Sequence, residues 1–239
     1  MMLLSLKLKI MHKLDYLHIS NKRFEKQRKE YLMKEGLQVF IKDKIESDIN
    51  IKNVLDVVGS YIPSHLFREV DSIYVGMFED FEKKETNAAY KNGAIYISNE
   101  QEDEQDIIDD IIHEVAHSLE EPYGYIIYGD QKLQEEFLSK REKLYDVLNA
   151  EDLEPDREYF LNTEYNVKMD SYLYKTVGYD RLNFIVATYN IFTSAYPATS
   201  LREYFASGFE YYFLEDPTYL AQICPVLFSK IEEIHHHEY

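Results

Sequence analysis

Apolar residues fall at helical spacing across Asp106–Glu120. At 100° per residue, Ile107, Ile108, Ile111, Ile112, Val115, Ala116 and Leu119 share one broad arc, while His113 and His117 stand close together on the opposite side. The pattern predicts an amphipathic helix with one face built for a core. Ser98 or Asn99 reads as its N-cap, with Glu102, Asp103 and Glu104 favourably placed near the helix dipole. Upstream, Ser72–Phe78 and Gly93–Ser98 are β-branched and aromatic runs that predict strands, separated by a charged stretch holding Asn92-Gly93.

Between Asn21 and Asp48, Phe24, Tyr31, Leu32, Leu37, Val39, Phe40, Ile41 and Ile45 sit among Lys, Arg and Glu. That spacing predicts an amphipathic helical arm with a break at Gly36. Residues 51–70 carry Val54, Leu55, Val57 and Val58, and Pro63 is placed to start a short helix. After Pro122 comes a tyrosine-rich turn with Tyr123, Tyr125 and Tyr128. Helices are then expected near Gln131–Asn149, Arg181–Ala195, Ser200–Glu215 and Pro217–Ile234, with 151–180 ambiguous. The sequence contains no fixed-period repeat and no low-complexity linker. The elements predict an α+β, mostly helical fold with a small sheet packed on the histidine helix. A basic helical arm over 1–50 would precede one domain over 51–239.

Composition narrows the class. With 239 residues and 45% hydrophobic content, the chain can bury one sizeable core. A single cysteine, Cys224, excludes an intramolecular disulfide and a cysteine-based zinc cluster, so any metal site must use histidines and carboxylates. Lysines interrupt the apolar N-terminus before a signal-peptide core forms, and no run approaches the ~20 apolar residues of a membrane span. The expectation is a soluble protein of a reducing compartment, cytoplasmic or released without a standard leader. Net charge is −18, but residues 1–50 hold 11 Lys/Arg against 7 Asp/Glu, so the acidity belongs to the remainder. Such a body repels nucleic acid phosphates and favours basic peptides.

The candidate chemistry lies in His113-Glu114-Val115-Ala116-His117, a His-Glu-x-x-His motif. In a chain holding 8 His and 27 Glu, chance alone supplies this motif in about 3% of cases, before any demand for helical context. Two imidazoles one turn apart can reach one tetrahedral ion, and Glu114, offset from them, can reach a water bound to it. The alternative is two solvated histidines on a surface helix. A catalytic zinc needs a third protein ligand and an open position. Glu120 and Glu121 lie too near the same helix end to face the ion comfortably. Glu203 is the better candidate: it sits on a helix with Leu201, Tyr204, Phe205, Phe209, Tyr212 and Phe213 to bury, and the small Ala206 and Ser207 would let two helices approach. An ordinary surface glutamate is the alternative there.

Together, His-Glu-Val-Ala-His at 113–117, preceded by Gly93-Ala94-Ile95-Tyr96-Ile97, Glu-Tyr-Phe-Ala at 203–206 and the upstream Tyr196 resemble the catalytic domain of anthrax lethal factor and the related clostridial Pro-Pro endopeptidases. The resemblance covers about residues 60–235. It implies a zincin-like metalloprotease fold with one Zn²⁺ per chain, held by His113, His117 and Glu203. Glu114 would be the general base, and Tyr196, seven residues before Glu203, would face the reaction centre. Ala116 stands where the family usually has glycine. The long separation between His117 and Glu203 places an inserted helical piece at about 123–180.

The resulting expectation is a zinc-dependent endopeptidase of the gluzincin type that hydrolyses protein or peptide substrates, basic ones preferred, without nucleic acid or a membrane span. A non-catalytic binding or structural component of a larger assembly, contacting a partner through the N-terminal arm, is the second expectation.

Overall fold

The computed structural model describes residues 29–33, 36–45, 49–79, 81 and 86–237. Five strands form one mixed sheet: β1 (Lys29–Leu32), β2 (Gln38–Ile41), β3 (Ser72–Gly76), β4 (Ala88–Lys91) and β5 (Ala94–Ser98), in the order β1-β2-β3-β5-β4. The centre is parallel (β2 with β3, β3 with β5), and each edge strand runs antiparallel to its neighbour. Strand alternation explains the two faces. Val39, Ile41, Ile73, Val75, Ile95 and Ile97 are all buried. On the other face Phe40, Tyr74 and Tyr96 stack across three strands, with ring centroids 5.1 Å and 5.5 Å apart. The hairpin between β4 and β5 turns through Asn92 (φ 51°) and Gly93 (φ 80°), the left-handed pair that a two-residue hairpin requires.

The other described elements are helices. Helix α1 (Ile51–Tyr61) and a 3₁₀ turn (Ser64–Phe67) precede β3, and α2 (Glu104–Leu119) follows β5. Then come α3 (Gly124–Tyr128), α4 (Lys132–Ala150), α5 (Arg157–Phe160), α6 (Val167–Tyr172), which runs into a π turn (Leu173–Val177), and α7 (Tyr179–Thr188). A 3₁₀ turn (Tyr196–Ala198), α8 (Leu201–Leu214), α9 (Pro217–Ile223) and α10 (Pro225–His235) complete the order. The architecture is therefore α+β and mostly helical, with a small sheet. Helix α2 is central: it packs on α1, on β4 and β5, and most extensively on α8. No helix among the described residues is long and apolar enough to cross a membrane.

Several expectations are corrected. The described part of the expected Asn21–Asp48 helix is β1 and β2, joined through Gly36 (φ 85°). Gln38-Val39-Phe40-Ile41 is β-branched and aromatic, and its period-two burial is satisfied by parallel pairing with β3. A boundary at residue 50 therefore does not separate an arm from the domain, because β1 and β2 belong to the same sheet as β3, β4 and β5; residues 1–28 lie outside the described residues. Asp103, not Ser98 or Asn99, caps α2, accepting from the N–H groups of Gln105 and Asp106 at 2.8 Å and 3.1 Å. The helix expected to reach Ala195 ends at Thr188, where Asn190 turns left-handed (φ 50°) and Asn183 Oδ1 accepts the Ala195 N–H. The expected last helix is two, because Pro225 lacks an N–H and starts α10 afresh.

Candidate metal centre

Two helices build the centre. From α2 come His113, Glu114, His117 and, at its C-cap, Glu120; from α8 come Arg202, Glu203 and Glu210. Seven buried apolar residues of α2 (Ile107, Ile108, Ile111, Ile112, Val115, Ala116 and Leu119) fix that helix in the core, so its histidines must look toward α8. The Ser200 hydroxyl accepts the Glu203 N–H at 3.2 Å, an N-cap that sets Glu203 in the first turn. Close approach of the helices behind it depends on Gly208, where a Cβ would collide with the Leu227 side chain of α10.

Glu203 Oε2 lies 3.0 Å from His113 Nε2 and 3.5 Å from His117 Nε2. Donor atoms of these three residues all lie within 4.8 Å of one another. Tetrahedral coordination at 2.0–2.2 Å per bond puts neighbouring ligand atoms about 3.3 Å apart, so the two separations from Glu203 to the histidines bracket what one zinc ion needs. Two imidazoles and one carboxylate are also the donor type of a catalytic zinc with one open position. The residues present fit the ion.

The other ring nitrogens are held by carboxylates. His113 Nδ1 lies 3.1 Å from Glu210 Oε2, and His117 Nδ1 lies 2.5 Å from Glu120 Oε1. Arg202 clamps Glu120 in turn through Nε (2.7 Å) and Nη2 (3.0 Å), and the Tyr128 hydroxyl donates to it at 3.2 Å. An Nδ1–H donated to a carboxylate leaves Nε2 as the nitrogen for a metal and fixes the ring's orientation.

Electrostatics follow from these contacts. Burial disfavours the His113 imidazolium, but hydrogen bonds to Glu203 and Glu210 outweigh it and push His113 up to about 10. His117 meets the same opposition from burial and is pushed up to about 9 by Glu120 and Glu203. Burial would raise Glu203, yet the two histidines hold it well below the usual carboxylate range. Glu114 is raised, burial being the main cause.

Glu114 is 7% exposed and stands apart from the three-residue group. Its Oε2 accepts the main-chain N–H of Tyr90, in edge strand β4, at 2.5 Å. The Tyr196 ring lies 5.9 Å from the His113 ring, and the residue is 42% exposed. Burial of the phenol, then the neighbouring Glu203 carboxylate, raise its pKa.

All five residues singled out from sequence thus meet in one place. Sequence reasoning missed three parts. Glu120, set aside as a ligand, serves as the partner of His117, which its i,i+3 spacing could have signalled. Glu210 sits two turns after Glu203 on the same helical face, a spacing that also carried the information. The Tyr90 N–H had no signal, because β4 itself was not predicted. Neither a protein-family model, nor a curated protein, nor a solved structure matches the chain significantly.

Proposed function

We propose that the protein is a zinc-dependent endopeptidase of the gluzincin type with a zincin-like fold, His113, His117 and Glu203 being the ligands. One observation carries this reading: both histidines give Nδ1 to a carboxylate and turn Nε2 toward the same Glu203 oxygen. A solvated surface pair would have no reason for that convergence. When bound, a zinc ion would polarise the scissile carbonyl and bring the pKa of a water toward ~7.

The chain's own groups do the rest. Glu114, off the ligand set but on the same helix, takes the proton of the attacking water and delivers it to the leaving amine. Its burial favours the protonated state that the delivery step requires. The Tyr196 hydroxyl donates to the oxyanion that develops on the carbonyl. Strand β4 is last in the sheet order, and its Tyr90 N–H points at Glu114. An extended peptide laid along that edge would bring a main-chain carbonyl to the centre.

Metal content measured together with cleavage of a peptide library tests the reading. Glu114→Gln should keep its zinc and lose cleavage; zinc retained with cleavage unchanged rejects the assigned mechanism.

A second reading, a binding or structural protein on the same centre, is favoured by the 2.5 Å bond that ties Glu114 to the sheet edge. It requires the fourth coordination position to be filled by a protein side chain or the metal to be missing, which cobalt substitution and visible spectroscopy distinguish from an open site.

A further inference from the structure

Arg141 lies in the middle of α4, inside the stretch for which the sequence suggested no role, and it is 0% exposed. Its guanidinium has five N–H groups, and all five are used. Nε and Nη2 donate to Ala198 O at 3.0 Å and 2.7 Å, and Nη2 also reaches Thr199 O at 2.7 Å. Nη1 donates to Tyr159 O at 3.0 Å and to Asn162 O. Every acceptor is a main-chain carbonyl, and burial pulls the guanidinium down to about 10.

Placing a cation in the core against carbonyl dipoles and the Phe137 ring, 4.7 Å from the guanidinium carbon, with no carboxylate among its hydrogen-bond partners, is costly, and an apolar side chain would pack there more cheaply. The arrangement is understandable if the irregular backbone that it holds matters. Ala198 and Thr199 lie between Tyr196 and Glu203, and the Thr199 hydroxyl donates to Tyr196 O at 2.9 Å. The segment reached through Nη1 continues to Thr163, whose carbonyl accepts the Leu201 N–H at 2.8 Å, two residues before Glu203. One side chain therefore ties down both segments that flank the start of α8. The four carbonyls sit at or just past the ends of one-turn helices, Arg157–Phe160 and Tyr196–Ala198, where no further turn supplies a donor.

We propose that Arg141 is a positioning residue of the metal centre, setting the Tyr196–Glu203 segment against α2 so that Glu203 and Tyr196 keep their places relative to His113 and His117. The effect on cleavage rests on the endopeptidase reading, whereas the effect on metal binding does not.

The test uses Arg141→Lys, which keeps the charge but not the fork, and Arg141→Gln, which keeps two donors but no charge. Leu148→Ala, on the same helix and fully buried, serves as a control for lost stability. Cobalt affinity is measured by chelator competition, hydrogen exchange is followed at residues 196–203, and peptide cleavage is measured with saturating zinc. Both arginine variants should weaken Co²⁺ by about 10-fold, speed exchange in 196–203, and lower kcat by about 10²-fold while KM moves little. The Leu148 variant, at an equal loss of Tm, should do none of these. The proposal is overturned if the arginine variants match the Leu148 variant in Co²⁺ affinity and exchange, or if neither folds with zinc in excess, since Arg141 is then a folding requirement only. If the wild-type zinc protein cleaves nothing but the arginine variants still lose Co²⁺ affinity, the endopeptidase reading fails and the positioning role stands.

Discussion

Glu210 Oε2 lies 3.1 Å from Nδ1 of His113, on the side of the ring opposite the Nε2 that faces Glu203 at 3.0 Å. One helix, α8, thus supplies both a candidate ligand and the carboxylate that partners another candidate ligand. Replacing Glu210 with Gln should leave the ligand set intact yet weaken zinc by about 10–100-fold, the usual cost of losing such a partner. Glu120→Gln should act similarly at His117. Chelator competition measures both, and wild-type affinity in either variant would show that its contact orients nothing.

Tyr196→Phe removes one hydroxyl and leaves the ring in place. If that hydroxyl stabilises the oxyanion, kcat should drop by about 10²–10³, or ~2.7–4 kcal/mol of barrier, with zinc content unchanged. A variant as active as the wild type would remove Tyr196 from the mechanism.

Asp110, on α2 one turn before Glu114, offers a pH test read on stability rather than on cleavage. Burial raises its folded pKa from the ordinary 3.8 to about 6, helped by the Glu114 charge and opposed by His113 and by the Gln101 amide, which donates at 2.7 Å. Because the folded value is the higher one, its stabilising contribution is complete below about 4 and is lost as pH rises through about 6. Asp110→Asn should therefore match the wild type in Tm near pH 4 and exceed it above pH 6. A Tm difference that does not change over that window would refute the assignment.

Gly208→Ala drives a methyl into Leu227 and should destabilise the fold by about 1–3 kcal/mol, as overpacking in a close helix contact typically does. Adding Leu227→Ala should recover part of the Gly208→Ala loss in a double-mutant cycle read by denaturant unfolding. Strictly additive losses would mean that the two residues do not meet.

The acidity of residues 51–239 leads us to expect faster cleavage of peptides with Lys or Arg flanking the scissile bond, an advantage that fades as salt screens exposed charges beyond ~8 Å. Matched Lys-rich and Glu-rich peptides compared at two salt concentrations decide this. Equal rates at low salt would leave the charge as a device for solubility.

Local pattern alone was enough to place His113, Glu114 and His117 on one helix with a dry back face, because both the ligand spacing and the apolar arc are properties of a single 3.6-residue period. Glu203 was legible because helix α8 repeats the same logic, with a polar residue among apolar ones. The N-terminal strands were not legible: Gln38–Ile41 is too short for its period to decide between helix and strand, and pairing with Lys29–Leu32 on one side and Ser72–Gly76 on the other selects the strand. Nor could the chain order reveal that Glu210 and Glu120 would grip the two Nδ1 atoms, that Tyr90 would meet Glu114, or that Arg141 would reach four carbonyls up to 58 residues away. Those contacts depend on how α2, α4, α8 and the sheet edge are packed together. Spacing along one helix is set by covalent geometry, whereas meetings between elements are set by core packing that no single element carries.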